Sequence, residues 1–165
     1  MSKRKLVVYY SLSNGNTKGI AELAAEAMDA DLRAIDTVRP YTGSYQQIVD
    51  QGLEETKRGY RPELKPLDFS LADYDIIAVG TPTWWYTMAP AVLTFLNGQK
   101  WQGKQVVPFM THGGWPGHVL TDMKAACKGA EFICEAQIHF DSEGGSRMIT
   151  PKQELEQWLA ALEQL

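Results

Sequence analysis

Three short stretches of this chain combine residue types that hold ligands rather than fill a core. The first is Ser11-Leu12-Ser13-Asn14-Gly15-Asn16-Thr17, with three hydroxyls, two amides and a glycine in front of a helical pattern. Backbone N–H groups in a helix's first turn lack partners, so such a loop attracts an anion, and a terminal phosphate dianion fits it. The spacing is neither GxxxxGKS/T nor GxGxxG, and no carboxylate is at hand for magnesium, which disfavours a nucleoside triphosphate. A plain cap and turn would account for Ser and Asn here, but with fewer polar groups than are present.

The second stretch is Gly80-Thr81-Pro82-Thr83-Trp84-Trp85-Tyr86-Thr87-Met88. Three consecutive aromatics beyond a buried strand cannot all enter the core. At least one covers the end of the sheet, and those left exposed suit stacking on a flat ligand. The third is Thr111-His112-Gly113-Gly114-Trp115-Pro116-Gly117. Its paired glycines let backbone N–H groups approach a ligand edge closely. His112 alone reads more readily as a hydrogen-bonded bystander than as a base. No catalytic residue and no metal ligand set is assigned.

Each stretch follows a β-favouring run and precedes a helical one. The runs Leu6–Tyr10, Leu32–Ile35, Asp75–Gly80, Gln105–Met110 and Phe132–Phe140 read as strands. Pro108 cannot donate to a ladder, so a bulge or strand end is expected there. Between them fall apolar stripes of helical period: Ile20, Leu23, Ala24 and Ala27; Tyr45, Ile48, Val49 and Leu53; Val92 to Leu96; Val119 to Cys127. Thr150-Pro151-Lys152-Gln153 has the form of a capping box opening a last helix with Leu155, Trp158, Leu159, Leu162 and Leu165 on its buried face. The segment Tyr60 to Asp73, with Pro62 and Pro66, reads as a long irregular connection. Five alternations predict a three-layer α/β fold, a doubly wound five-stranded parallel sheet of order 2-1-3-4-5. In that order the ligand lies at the strand ends between strands 1 and 3, where all three stretches converge.

The 165 residues suit one domain, and 44% apolar with 22% charged residues is the composition of an ordinary globular protein. Sixteen basic against twenty acidic residues leave a charge near −4, which disfavours nucleic acid and anionic membrane surfaces as partners. Cys127 and Cys134 form neither a CxxC pair nor a zinc pattern and read as free thiols in a reducing compartment. No apolar run approaches the ~20 residues of a membrane span, and Leu6–Tyr10 is short for a signal-peptide core. A cytoplasmic domain, monomeric or weakly dimeric, is expected. A phospho-receiver domain would share the strand order, but it needs acidic groups where this chain has Tyr9-Tyr10-Ser11 and Gly80-Thr81-Pro82.

The stretch Tyr10 to Thr17 resembles the phosphate loop of flavodoxins. Gly80-Thr81-Pro82-Thr83-Trp84-Trp85 resembles their first flavin-ring loop, and Thr111-His112-Gly113-Gly114 the second. The resemblance spans essentially the whole chain and, with no long insertion in the fifth strand, is nearest the short-chain form. It implies a flavodoxin-like fold and non-covalent FMN. The phosphate would sit on Ser11, Leu12, Ser13, Asn14, Gly15, Asn16 and Thr17, and the ribityl chain near Thr81 and Pro82. The ring would lie between Thr83, Trp84, Trp85 and Tyr86 on one side and Thr111, His112, Gly113 and Gly114 on the other. It implies an electron carrier between protein redox partners; the alternative on the same scaffold is an NAD(P)H-dependent FMN oxidoreductase acting on a small quinone-like substrate. Tyr86 stands where related loops often carry glycine, and positive φ costs a non-glycine residue about 1 kcal/mol or more, so Tyr86 is expected to resist that conformation.

Overall fold

A computed structural model describes residues 3–12, 15–143 and 145–165. Its strands are β1 (Lys5–Tyr9), β2 (Asp31–Ala34), β3 (Ile76–Trp84), β4 (Thr87–Met88), β5 (Gln105–His112), β6 (Glu131–Phe132) and β7 (Ala136–His139). The helices are α1 (Asn16–Met28), α2 (Tyr45–Lys57), α3 (Pro90–Asn97), α4 (Val119–Ala126) and α5 (Lys152–Glu163), with a short 3-10 turn at Leu71–Asp73. The main sheet runs β2-β1-β3-β5, and β5 carries β6 and β7 along its outer edge, every pair parallel. This is the expected order, with β5 as the fourth strand and β6 and β7 together as the fifth.

Pro108 lies opposite the break in the fifth strand. Ile133 N–H donates to the Val106 carbonyl and Phe140 N–H to that of His112, so even-numbered residues of β5 turn their polar groups toward the outer edge. Pro108 is one of them and has no N–H to give. Between the pairs Val106–Phe132 and Phe109–Ala136, three residues of the edge strand span two of β5. That is a bulge, with Cys134 at φ 52°. The Trp158 indole N–H holds the Cys134 carbonyl at 2.7 Å. The expected bulge therefore sits in Pro108's neighbour, while Pro108 itself stays in register with Val79.

Burial on both faces explains why the central strands read as unbroken apolar runs. Leu6, Val8, Ile77, Val79, Val106 and Met110 face α3 and α4 in one core. Val7, Tyr9, Ile76, Ala78, Val107 and Phe109 face α1 and α5 in the other. Gly80 leaves room for Phe109, whose ring would lie 2.3 Å from any Cβ at that position.

Helices α1 and α5 differ from the expected pattern. The buried stripe of α1 is Thr17, Ile20, Ala21, Ala24, Ala25 and Met28, which places Leu23 at the edge, 39% exposed. Small residues let α1 lie close to the sheet and to α5, and this displaces the bulkier Leu23 to the flank. At α5, Pro151 is the residue preceding the helix and the capping box does not form. The Thr150 hydroxyl instead accepts the His139 N–H at 2.7 Å, serving the end of β7. No described helix is long and apolar enough to cross a membrane.

Candidate functional site

The C-terminal ends of β1, β3, β5 and β7 open into one cleft of about 340 Å³. Its floor begins at α1. Gly15 precedes the helix at φ 72° and ψ 23°, a left-handed conformation that glycine adopts without steric cost. The Ser11 hydroxyl accepts the Lys18 N–H at 3.2 Å, and α1 has no acidic residue in its first turn. Asn16 and Thr17 line the cleft, and the Asn16 amide donates to the Gly145 carbonyl at 3.0 Å. The Thr17 hydroxyl meets that of Thr111 at 2.8 Å. A helix N-terminus with hydroxyls and without carboxylates suits a phosphate.

The second wall is a hairpin that extends β3 beyond the sheet. Thr83 pairs with Met88 and Trp84 with Thr87, leaving Trp85 and Tyr86 as a two-residue tip. Both have positive φ, 51° and 71°, the pattern of a type I′ turn. Tyr86 thus adopts the conformation it was expected to resist. Contacts from both sides hold the turn. His118 N–H donates to the Tyr86 carbonyl at 2.8 Å, and the Trp85 indole N–H donates to the Val49 carbonyl at 2.8 Å.

The three aromatics separate as steric arguments require. Trp84 turns inward, edge-on to Tyr41 at 4.9 Å and to Tyr10 at 6.1 Å. Trp85 and Tyr86 remain 40% and 50% exposed, and Trp115 across the mouth is 59% exposed. On the third loop, His112 Nδ1 accepts the Gly114 N–H at 3.0 Å, which assigns the ring hydrogen to Nε2. Its ring stacks on His139 at 4.7 Å. Burial, and secondarily the neighbouring His139, holds the His112 pKa below its ordinary value.

Of the residues expected at the site, Leu12, Asn16, Thr17, Pro82, Thr83, Trp84, Trp85, Thr111, His112 and Gly113 line the cleft. Ser11, Gly15, Tyr86 and Gly114 belong to the same loops but do not line the cleft, and Tyr86 is 50% exposed at the hairpin tip. Thr81 is fully buried; its hydroxyl accepts the Ala89 N–H at 3.0 Å and donates to the Pro82 carbonyl at 2.8 Å. Ser13 and Asn14 lie outside the described residues.

Sequence reasoning missed two contributors. Tyr45, Ile48 and Val49 read only as the apolar stripe of a helix, and they face the cleft, with Tyr45 70% exposed. The signal was Gly52 within that stripe: a Cβ there would lie 3.3 Å from the Trp84 ring. The segment after β7, with Phe140, Asp141, Ser142 and Gly145, supplies the remaining side.

The flavodoxin family model matches residues 4–161. The chain belongs to the flavodoxin family. Among solved flavodoxin-like structures, a protein described as a flavoprotein from Bacteroides eggerthii DSM 20697 is 26% identical, with TM-score 0.77 over 98% of each chain. Another from Bacteroides uniformis ATCC 8492 is 25% identical, with TM-score 0.78 over 96% of this chain and 99% of that one. A flavoprotein of Lactobacillus acidophilus NCFM, in complex with FMN, shares the fold at 22% identity and TM-score 0.70, over 82% of this chain and 93% of its own. No curated protein matches the chain.

Proposed function

We propose that this flavodoxin-family chain binds FMN non-covalently and carries electrons between protein partners. The observation that carries the reading is one cleft joining a helix N-terminus to an aromatic slot at the point where the winding reverses. The first turn of α1, with Asn16 and Thr17, would hold the phosphate. Pro82 and Thr83 would border the ribityl chain, and Trp84, Trp85, Thr111, His112 and Gly113 the ring. The FMN complex of the Lactobacillus acidophilus neighbour supports the same choice of cofactor. Bound FMN supplies one- and two-electron chemistry; the chain binds it, orients it and limits its contact with water.

The charge of the lining favours a carrier. Asp141 is the charged residue among the described lining residues, and no lysine or arginine accompanies it. The phosphate needs none at a helix N-terminus, whereas the several phosphates of a pyridine dinucleotide would lack cations in this cleft. A second reading, an NAD(P)H-dependent FMN oxidoreductase, draws on one observation: Tyr45, Trp85 and Trp115 are exposed at the mouth and could wall a planar acceptor such as a quinone. A cytoplasmic setting accords with the two unpaired cysteines.

Fluorescence titration with FMN, FAD and riboflavin tests the cofactor. FMN is expected to bind much the tightest, and equal affinities for FMN and riboflavin would remove the phosphate site. Anaerobic mixing of the loaded protein with NADPH then separates the two readings. Slow bleaching is the outcome for a carrier, and rapid bleaching would promote the reductase.

A further inference from the structure

One wall of the cleft continues into the protein as a chain of redox-active and proton-accepting groups. Trp84 lines the cleft and packs edge-on against Tyr41, ring centres 4.9 Å apart. The Tyr41 hydroxyl donates to Glu55 Oε1 at 2.6 Å. The other carboxylate oxygen accepts the Gln51 side-chain amide at 2.8 Å. With both oxygens acting as acceptors, Glu55 is placed as a carboxylate, yet it is only 4% exposed. It also lines a second cavity of about 410 Å³, on the far side of the hairpin, together with Tyr60, His118 and Asp122. A buried carboxylate is costly, and a packing role for α2 would be met more simply by an apolar side chain.

We infer that Trp84, Tyr41 and Glu55 form a proton-coupled relay that moves an oxidising equivalent out of the cleft. The oxidant is a one-electron acceptor bound against Trp84, such as a photo-excited oxidised flavin, so with FMN the relay rests on the cofactor reading above. Trp84 gives up one electron to that acceptor and becomes a radical cation. Tyr41 returns an electron to Trp84 and loses its phenolic proton to Glu55. The balance is one electron gained by the acceptor, one proton gained by Glu55, and a neutral tyrosyl radical at position 41. Burial and the Glu55 hydrogen bond raise the Tyr41 pKa, so the phenol is neutral at rest and its proton leaves with the electron. Glu55 also borders the second cavity, whose mainly apolar lining includes His118 and Asp122 as groups able to take the proton onward. Tyr10, 6.1 Å from Trp84, is the competing tyrosine, and no hydrogen bond among the described residues joins it to Glu55.

The test is flash illumination of the FMN-loaded protein with detection by transient absorption and electron paramagnetic resonance. FMN affinity is measured first, so a protein that takes no FMN refutes the cofactor reading and not the relay. The relay is then read in FMN-free protein with azide radical, which oxidises tryptophan directly. The parent should convert a tryptophan radical to a tyrosyl radical, more slowly in deuterium oxide. Tyr41→Phe should abolish that conversion and prolong the tryptophan signal at least tenfold. Glu55→Gln should slow it, and Tyr10→Phe should leave it unchanged. A tyrosyl signal that survives Tyr41→Phe, one lost in Tyr10→Phe, or a tryptophan radical that never converts in the parent would overturn the relay.

Discussion

The hydroxyls of Thr17 and Thr111 meet at 2.8 Å inside the protein, 94 residues apart in the chain. Thr17 belongs to the first turn of α1 and Thr111 to the end of β5, so one hydrogen bond ties the helix side of the cleft to its β5 side. Both side chains are buried, at 2% and 5% exposure. Thr17→Val or Thr111→Val alone leaves the other hydroxyl without this partner and should cost about 1–3 kcal/mol. The double variant should lose less than the two single losses added together, because it strands neither group. Urea unfolding of the four proteins completes the cycle, and strict additivity would show that the pair is not coupled.

The hairpin tip depends on Gly117. A Cβ there would lie 2.3 Å from the Tyr86 carbonyl oxygen, and Gly117 itself has φ 55°. Gly117→Ala should therefore destabilise the fold by about 2 kcal/mol or more, since the clash is with backbone and the conformation disfavours a side chain. At the tip, Tyr86→Gly should be at least as stable as the parent. Tyr86→Val should be weaker by about 1–2 kcal/mol, because a β-branched residue tolerates positive φ poorly. Thermal denaturation that ranked valine above glycine would contradict the turn assignment.

Trp85 joins the hairpin to α2 through its indole N–H and the Val49 carbonyl. Trp85→Phe keeps the ring but removes the donor, and should cost about 0.5–1.5 kcal/mol. FMN emission in the complex should remain largely quenched, since Trp84 and the phenyl ring still face the cleft. Full recovery of emission would make the Trp85 indole the main contact with the ring.

His112 should make the fold sensitive to mild acid. Its pKa in the folded chain is below the ordinary value of about 6.5. Above that value both states are neutral at this position and nothing changes. As pH falls below it, the unfolded chain takes a proton that the folded site refuses, so stability drops until the folded pKa is passed. His112→Gln should flatten this part of the stability profile. His139→Gln should raise the His112 pKa, read by NMR titration, and only partly, because burial is the larger cause and remains. An unchanged His112 titration in that variant would remove His139 as a contributor.

Much of the architecture was legible in the sequence because each local signal agreed with the global order. Runs such as Leu6–Tyr10 and Ile76–Gly80 are short, β-branched or aromatic in part and without polar alternation, as a strand covered on both faces requires. The three ligand-type loops each follow such a run, so a parallel sheet must bring them to one edge. Pro108 announced a bulge, although which strand carries it depends on which side its missing N–H faces, a matter of register.

Tertiary packing decided the rest, because periodicity shows that a face is apolar without showing what lies against it. The stripe of α2 with Tyr45, Ile48 and Val49 has helical spacing whether it meets a core or a ligand cleft; Gly52 against Trp84 decides for the cleft. Three adjacent aromatics have one composition, yet Trp84 turns inward and Trp85 outward once the β3–β4 hairpin sets their directions. Tyr86 shows the strongest override. Local sterics disfavour its positive φ, and the bonds from His118 to its own carbonyl and from Trp85 to Val49 hold the turn against that cost. Likewise Thr150 is suited to cap α5, but the end of β7 presents an N–H within reach and takes the hydroxyl instead. Chain composition specifies which groups are available, and only the assembled fold determines which partner each one meets.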